Sequence, residues 1–208
     1  MIRITEAMLN ALRAAVSREI GEYRMAHTLG VERAAAELAA LYCPEKANLL
    51  RAAALLHDVT KELTDAEQLN IFAANGITLR PDEAASPKVW HGMTAALLIP
   101  ARYPDFADAE LILAVRWHTT GHAGFTLTEA IVYLADLIEE GRRFPDCVAA
   151  REYFWGADPA RMTPAARRSH LRNTVLLSLE NTLSRLQGDA VCLDTLAARD
   201  ALQNTSEL

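Results

Sequence analysis

The segment KANLLRAAALLHD, residues 46–58, is the feature that most constrains the fold of this chain. Its residues are apolar on nearly every side of a helix, and Pro44 stands just before it, where a first-turn proline belongs. Such a helix has to be enclosed by other elements, because water would otherwise contact its apolar side chains. The segment therefore predicts the central helix of the protein.

The remainder of the chain is predicted to be helical too, which makes the fold class all-α. Glycine (9 residues) and proline (8 residues) are scarce among 208 residues, so the many turns of an all-β chain are not expected. Thr64 and Glu67 have the capping-box spacing. Apolar periodicity and turn residues predict helices at 4–20, 22–42, 64–75, 90–100, 107–119, 127–140 and 168–187, and a long loop at 77–88.

No repeat or linker divides the sequence, so a single domain is expected. Residues 1–160 are predicted to carry the functional site, and residues 161–208 to form a C-terminal helical extension packed on the same domain. The sequence does not decide among three roles for the segment 147–208. It could cover a pocket, contact a ligand, or pack against a second subunit in a homodimer.

Charge and composition exclude several classes of partner. The net charge is −6, and no run of lysine or arginine forms the basic footprint expected for nucleic acid or an anionic membrane. Neither a signal-peptide pattern nor a stretch of about eighteen apolar residues occurs, so a cytoplasmic location is expected. Cys43, Cys147 and Cys192 lack CxxC spacing, which argues against disulfides and a thiolate zinc site. The expected partner is a small molecule.

Two aspartates stand in unusually apolar surroundings. Asp58 ends the central helix, and Asp136 lies in LTEAIVYLADLIEE on a largely apolar face. An ionised carboxylate is costly to bury unless a cation or strong hydrogen-bond donors compensate its charge. A metal ion would do so. A cap on a neighbouring helix, or an ion pair with an arginine such as Arg24 or Arg116, remains an alternative explanation.

The histidines supply candidate partners for these acids. A metal site needs neutral imidazoles and carboxylates that converge from different helices, because no single segment surrounds a cation. One histidine falls in the second predicted helix, a His-Asp doublet ends the third, and two later histidines precede Asp136. His122 and His170 fit no such pattern. The ordered set of candidate residues is His27, His57, Asp58, His91, His118 and Asp136.

Five segments around these residues extend the pattern: RMAHTLGV (24–31), AALLHDVTKE (53–62), WHGMTAA (90–96), AVRWHTTG (114–121) and YLADLIEEGRRF (133–144). With the ordered ligand set, they resemble the HD superfamily and, within it, the bacterial YqeK family of symmetrical bis(5'-nucleosyl)-tetraphosphatases. The resemblance implies a single HD-domain helical bundle and cleavage of diadenosine tetraphosphate into two ADP. A dinucleoside polyphosphate or ADP is then the expected ligand.

The same resemblance implies a bound iron ion or di-iron centre, although histidine and carboxylate ligands also suit manganese or another divalent metal. It assigns the first metal to His27, His57, Asp58 and Asp136, and a second metal or the phosphates to His91 and His118. Asp58 is then expected to bridge the two cations, between which a hydroxide attacks phosphorus. His57 and Asp58 are thus expected to act in catalysis.

Further residues are candidates for catalysis and for binding the phosphates. A helical turn continuing beyond the doublet would bring the ammonium of Lys61 beside the metals. Arg142 in GRRF, with Arg24 and Arg116, could clamp phosphates through bidentate hydrogen bonds, although ordinary ion pairs would also explain these arginines. Thr119, after His118, offers a hydroxyl to a phosphate.

Two other functions remain open on the sequence. An HD phosphohydrolase for another nucleotide needs only the same ligands, although the HTTG and GRRF segments favour the YqeK-like substrate. A non-catalytic nucleotide-binding regulator could keep the same pocket. Such a protein is free to lose ligands, however, and all the expected positions are present, so catalysis is favoured.

Overall fold

All regular structure in residues 3–186, 191–206 and 208, which this computed structural model describes, is helical. The predicted all-α class is therefore confirmed. Short 3₁₀ turns lie at Pro44–Lys46, Pro87–Val89, Pro104–Phe106 and Pro159–Arg161. The α-helices are α1 (Glu6–Val16), α2 (Glu22–Tyr42), α3 (Ala47–Leu56), α4 (Asp65–Ala74), α5 (Pro81–Ala84), α6 (Trp90–Arg102), α7 (Ala109–Trp117), α8 (Leu127–Ile138), α9 (Pro145–Gly156), α10 (Pro164–Arg185) and α11 (Leu193–Gln203).

Helix α3 lies at the centre of the core, as its sequence predicts. Seven of its ten residues are buried, and α1, α2, α7 and α8 pack around it. Leu38, Leu111 and Leu134 come to this core from α2, α7 and α8, and all three are completely buried. Burial of one such leucine contributes roughly 1.5–3 kcal/mol. The core therefore fixes the position of the end of α3, where the His57-Asp58 doublet follows.

Local signals determine where several helices begin. Thr64 and Glu67 form the predicted capping box at the start of α4, and Thr126 and Glu129 form another at the start of α8. Each box satisfies backbone N–H groups that have no partner within the helix itself. The start of α8 is thereby fixed, and with it the register that places Asp136 on its inner side.

Prolines account for part of the difference between the predicted and the observed helices. The predicted loop at 77–88 contains α5 and a 3₁₀ turn, and α9 was not predicted. Pro81 lies in the predicted loop and Pro145 lies outside every predicted helix, yet each occupies the first turn of a helix, where a missing N–H costs nothing. Helix α10 likewise begins at Pro164, with Thr163 as its cap, rather than near residue 168.

Two further differences concern the end of α1 and the C-terminal helices. Helix α1 ends at Val16 and gives way to turns instead of continuing to residue 20. Helix α11 was not predicted, and residue 187, the predicted end of the preceding helix, lies outside the described residues.

The C-terminal helices share the core of the remaining chain. Leu171, Val175 and Leu179 of α10, and Leu202 of α11, belong to the same buried cluster as α3. The packing agrees with an extension that lies on the same body. The boundary between residues 160 and 161, and assembly into a homodimer, stay predictions. No described helix is long and apolar enough to cross a membrane.

We expect Leu55→Ala to destabilise the protein by about 2–5 kcal/mol, because it leaves a cavity where the completely buried side chain of Leu55 packs. Leu113→Ala is the matched control, since Leu113 is 47% exposed on α7. Urea unfolding followed by circular dichroism compares the two variants. Equal destabilisation would contradict the central position of α3.

Candidate metal centre and active site

Side chains from five helices and their ends converge beside the buried end of α3. The carboxylate of Asp58 lies among them and is 3% exposed, while His57 is completely buried. The structure brings together all six residues expected as metal ligands. They are His27 on α2, His57 and Asp58 after α3, His91 on α6, His118 after α7 and Asp136 on α8.

A first group consists of His27, His57 and Asp136. Oδ1 of Asp136 lies 3.0 Å from Nε2 of His27 and 3.7 Å from Nε2 of His57. The ligand atoms of all three residues lie within 4.8 Å of one another. This spacing is compatible with one metal ion between them.

A second group shares His57 and adds Asp58 and His118, again with ligand atoms within 4.8 Å of one another. Oδ1 of Asp58 lies 3.7 Å from Nε2 of His118. His91 joins them, because its Nε2 lies 3.3 Å from the same oxygen and 3.1 Å from Nε2 of His118.

The two carboxylate oxygens of Asp58 face different groups. Oδ2 lies 3.5 Å from Nε2 of His57 and 3.7 Å from Nε2 of His27, whereas Oδ1 faces His91 and His118. A carboxylate in this position can bind a cation on each side. The bridging role expected for Asp58 stays a prediction, and this arrangement of its two oxygens is compatible with it.

The histidine rings are oriented for ligation through Nε2. Nδ1 of His57 donates to the carbonyl oxygen of Ala54 at 2.6 Å, and Nδ1 of His118 donates to that of Val115 at 2.7 Å. These bonds leave the lone pair on Nε2, which is the usual arrangement of metal-binding histidines. The Nε2 atom of His57 is buried without a hydrogen-bond partner, and that of His27 faces the carboxylate oxygens of Asp136 and Asp58. A bound cation would satisfy both, so the donor set fits a metal.

Glu139 orients the remaining ring of the first group, and it was missed in the sequence. Its Oε1 lies 3.1 Å from Nδ1 of His27, and its Oε2 accepts from the backbone N–H of Gly141 at 2.6 Å. A Cβ atom at Gly30 would collide with the same carboxylate. The available signal was its position three residues after Asp136, near the same face of the chain.

Both aspartates also contact an arginine, as the alternative explanation foresaw. Nη1 of Arg24 lies 2.8 Å from Oδ2 of Asp58. Arg142 donates from Nε to the carbonyl oxygen of Asp136 at 3.0 Å and from Nη2 to its carboxylate. The arginine pairs and the histidine cluster occur together, so ion pairing does not replace the candidate metal site.

Arg116 is directed elsewhere. Its guanidinium lies 3.3 Å from Glu83 and 4.0 Å from the ring centre of Trp117, and the residue does not line the cavity over Asp58. The ion-pair explanation therefore holds for Arg116, and its expected phosphate contact is not supported.

Lys61 and Thr119 lie against the second group. Nζ of Lys61 lies 3.1 Å from both ring nitrogens of His91, and burial lowers the pKa of its ammonium. Oγ1 of Thr119 lies 3.1 Å from Nε2 of His91 and of His118. Both side chains thus reach the site expected from sequence.

The site holds its acids ionised and one histidine protonated. Burial would raise the pKa of Asp58, but His57 and His118 keep it well below its usual range. Desolvation acts likewise on Asp136, whose pKa Arg142 and His27 hold well below the usual range. Burial lowers the pKa of His27, but Asp136 and Glu139 outweigh this effect and raise it to about 9. In the metal-free site, the proton on His27 therefore compensates part of the negative charge that a bound cation would compensate.

A cavity of about 770 Å³ opens over this centre. Lys61, Thr119, Arg24 and Arg142 line it. His122 and His170, which fitted no ligand pattern in the sequence, do not line the cavity. His122 pairs with Glu129, and His170 bonds the backbone carbonyl of Phe154. The remaining lining residues are Tyr23, Ala26, His27, Arg33, Asp58, His91, Asp136, Glu139, Gly141, Arg143, Phe144 and Pro145.

Buried histidines and aspartates can hold a divalent metal that activates water, and the arginines of the open cavity above them can bind an anionic substrate. The family model of the HD domain matches residues 24–141. This chain therefore belongs to the HD domain family of phosphohydrolases, and the family predicted from its sequence is confirmed.

Similar proteins extend over most of the chain. A Bacillus subtilis protein named "Bis(5'-nucleosyl)-tetraphosphatase, symmetrical" is 31% identical, over 82% of this chain and 83% of its own. A Halalkalibacterium halodurans protein of the same name is 28% identical, over 90% of this chain and 92% of its own. A crystal structure from Clostridium acetobutylicum, described as a "predicted HD superfamily hydrolase involved in NAD metabolism", has a TM-score of 0.79 and 28% identity, covering 97% of this chain and 98% of that one.

We expect Glu139→Gln to weaken metal binding by roughly 10- to 100-fold, because it removes the charge that orients His27. Glu140→Gln is the matched control, since Glu140 is exposed and adjoins Glu139 in sequence. The variant is also expected to lower the pKa of His27, and weaker competition from the proton would hide part of the loss of metal affinity at lower pH. Manganese titrations are therefore made under inert gas near pH 9, where the proton competes little for His27. Equal affinities in the two variants would contradict this role.

Metal binding is expected to strengthen as the pH rises toward 9. The pKa of His27 is raised to about 9, so below that pH a metal has to displace a proton from the ring. Affinity should then increase by up to about tenfold per pH unit for this one proton. Calorimetry in two buffers of different ionisation enthalpy counts the protons released. A constant affinity between pH 7 and pH 9 would be incompatible with a protonated His27.

Proposed function

We propose that this protein hydrolyses dinucleoside tetraphosphates symmetrically, and diadenosine tetraphosphate to two ADP in particular. The observation that carries the proposal is Asp58, whose two oxygens face two groups of metal-ligand atoms beneath one cavity. The name shared by the Bacillus subtilis and Halalkalibacterium halodurans relatives supports this substrate.

The proposed metal ligands follow the two groups. His27, His57, Asp58 and Asp136 would hold the first ion, and Asp58, His91 and His118 the second. Iron is proposed from the family resemblance, and nitrogen and oxygen ligands of this kind also accommodate manganese. A bound divalent metal activates water and neutralises phosphate oxygens.

The chain supplies the positive charge that binds the tetraphosphate. Lys61 lies beside His91 at the edge of the centre, where its ammonium can donate to a bridging or non-bridging phosphate oxygen. Thr119 offers a hydroxyl at the same edge. Arg24 and Arg142 line the cavity next to the aspartates, and we propose that they bind the outer phosphates.

One water is consumed in the reaction. Its oxygen forms a bond to a phosphorus of the central anhydride, and the bond from that phosphorus to the bridging oxygen breaks. The bridging oxygen leaves with the electron pair on the other ADP, while the protons of the water pass to products and solvent. Lys61, whose pKa is lowered by burial, is the proposed donor to this leaving oxygen.

Two other functions would be recognised by following the products chromatographically with other nucleotides as substrates. Turnover of another nucleotide, including NAD in view of the description of the Clostridium acetobutylicum protein, would indicate a different HD phosphohydrolase. Nucleotide binding without turnover, under any divalent metal, would indicate a binding protein.

Asp58→Asn is expected to lower kcat by at least about a thousandfold, because it removes the carboxylate between both ligand groups. The assay follows nucleotides from diadenosine tetraphosphate by chromatography after anaerobic loading with iron or manganese. Asp105→Asn, at an exposed position outside the cavity, is the control. ADP alone supports the proposal, whereas ATP and AMP in equal amounts would exclude symmetrical cleavage.

A further inference from the structure

A second cavity adjoins the metal centre and was not foreseen from the sequence. Its volume is about 570 Å³, and it opens toward α4 and the Pro87–Val89 turn. The first cavity opens instead toward α2 and the chain after α8. The two cavities share Lys61 and His91 as lining residues. These two side chains therefore form a common wall or passage between them.

The proposed substrate has a matching form. A symmetrical dinucleoside tetraphosphate consists of two equal halves, each a nucleoside with two phosphates, and the bond to be cleaved lies between the halves. When that bond is at the metal ligands, the halves have to leave the centre in two directions. With one cavity, the second half would have to share that cavity or extend into solvent.

We infer that the second cavity binds one nucleoside diphosphate half of the substrate while the first cavity binds the other. This inference rests on the proposed function. The central anhydride then lies at Lys61 and His91, where the cavities meet. Both volumes fall within the range of about 300–1,000 Å³ that is usual for ligand pockets.

The charges of the second cavity fit this ligand. Lys88 lines it, is exposed, and forms no ion pair with any described residue. With Lys61 it provides two ammonium groups for the phosphates of one half. Asp65 also lines this cavity. Since its carboxylate repels phosphate, it is assigned to the ribose hydroxyl groups, for which it is an acceptor.

The two cavities offer different surfaces to the bases. Tyr23 and Phe144 line the first cavity and are 85% and 64% exposed, so each presents a ring on which a base can stack. The second cavity offers the smaller apolar side chains of Leu63 and Pro87. We therefore expect two ADP sites of unequal affinity, with the tighter site in the first cavity.

Lys88→Ala and Lys88→Glu test the second cavity, and Arg143→Ala tests the first. Arg18→Ala is the control, because it removes an exposed charge outside both cavities. Steady-state assays with diadenosine tetraphosphate give KM and kcat. Calorimetry with ADP and manganese-loaded protein counts the binding sites, and circular dichroism checks the fold.

Lys88→Ala should raise KM roughly tenfold, Lys88→Glu should raise it further, and both should remove the weaker ADP site. Arg143→Ala should weaken the tighter site, and Arg18→Ala should change neither. The inference is overturned if both Lys88 variants keep the wild-type KM and two ADP sites. If the wild type does not cleave diadenosine tetraphosphate, the proposed function fails, and the number of ADP sites in the Lys88 variants still decides whether this cavity binds nucleotide.

Discussion

The charge of the Asp58 carboxylate has to be compensated at the end of an apolar helix, and the surroundings of α3 follow from this requirement. Removing a carboxylate from water costs several kcal/mol even after the protein relaxes around it. Arg24 and, in the metal-free site, the protonated His27 meet part of that cost, and the four histidines around Asp58 supply the ligand atoms for a cation that would meet the rest. The same crowding of donors makes the position suitable for a cation. An arginine pair and a metal site are therefore two ways of compensating one charge, and the structure provides for both.

The sequence revealed the residues whose chemistry conflicts with their surroundings. Asp58 and Asp136 were recognisable because each interrupts an apolar helix, and the central position of α3 followed from its apolar circumference. The order of the histidines, together with the resemblance to the HD superfamily, then gave the candidate ligand set. The fold class could be predicted in this way, and the structure brings the candidate ligands and Lys61 together, while their roles stay predictions.

Features that depend on contacts between distant segments were not predictable. Glu139 acquires its role from His27, which lies 112 positions away in the chain. Lys88 follows a proline in a segment that was expected to be a loop, and only the packing of α4 against α6 brings it into one cavity with Lys61 and Asp65. Helix α9 was missed because a proline can either end a helix or occupy the first turn of a new one, and the sequence around Pro145 does not distinguish the two. In each case the local pattern is ordinary and the information lies in tertiary packing.

The contact of Glu139 with two glycines has a consequence for how this protein can vary. A methyl group at Gly30 or Gly141 would enter the space of the Glu139 carboxylate. A shorter acid at 139 would leave that space empty and His27 unsupported. We therefore expect positions 30, 139 and 141 to vary together, because exchanging one of them alone would displace the Glu139 carboxylate or leave His27 without its support. Such a triplet would drift more slowly than the exposed residues around it, although none of its three members is a metal ligand.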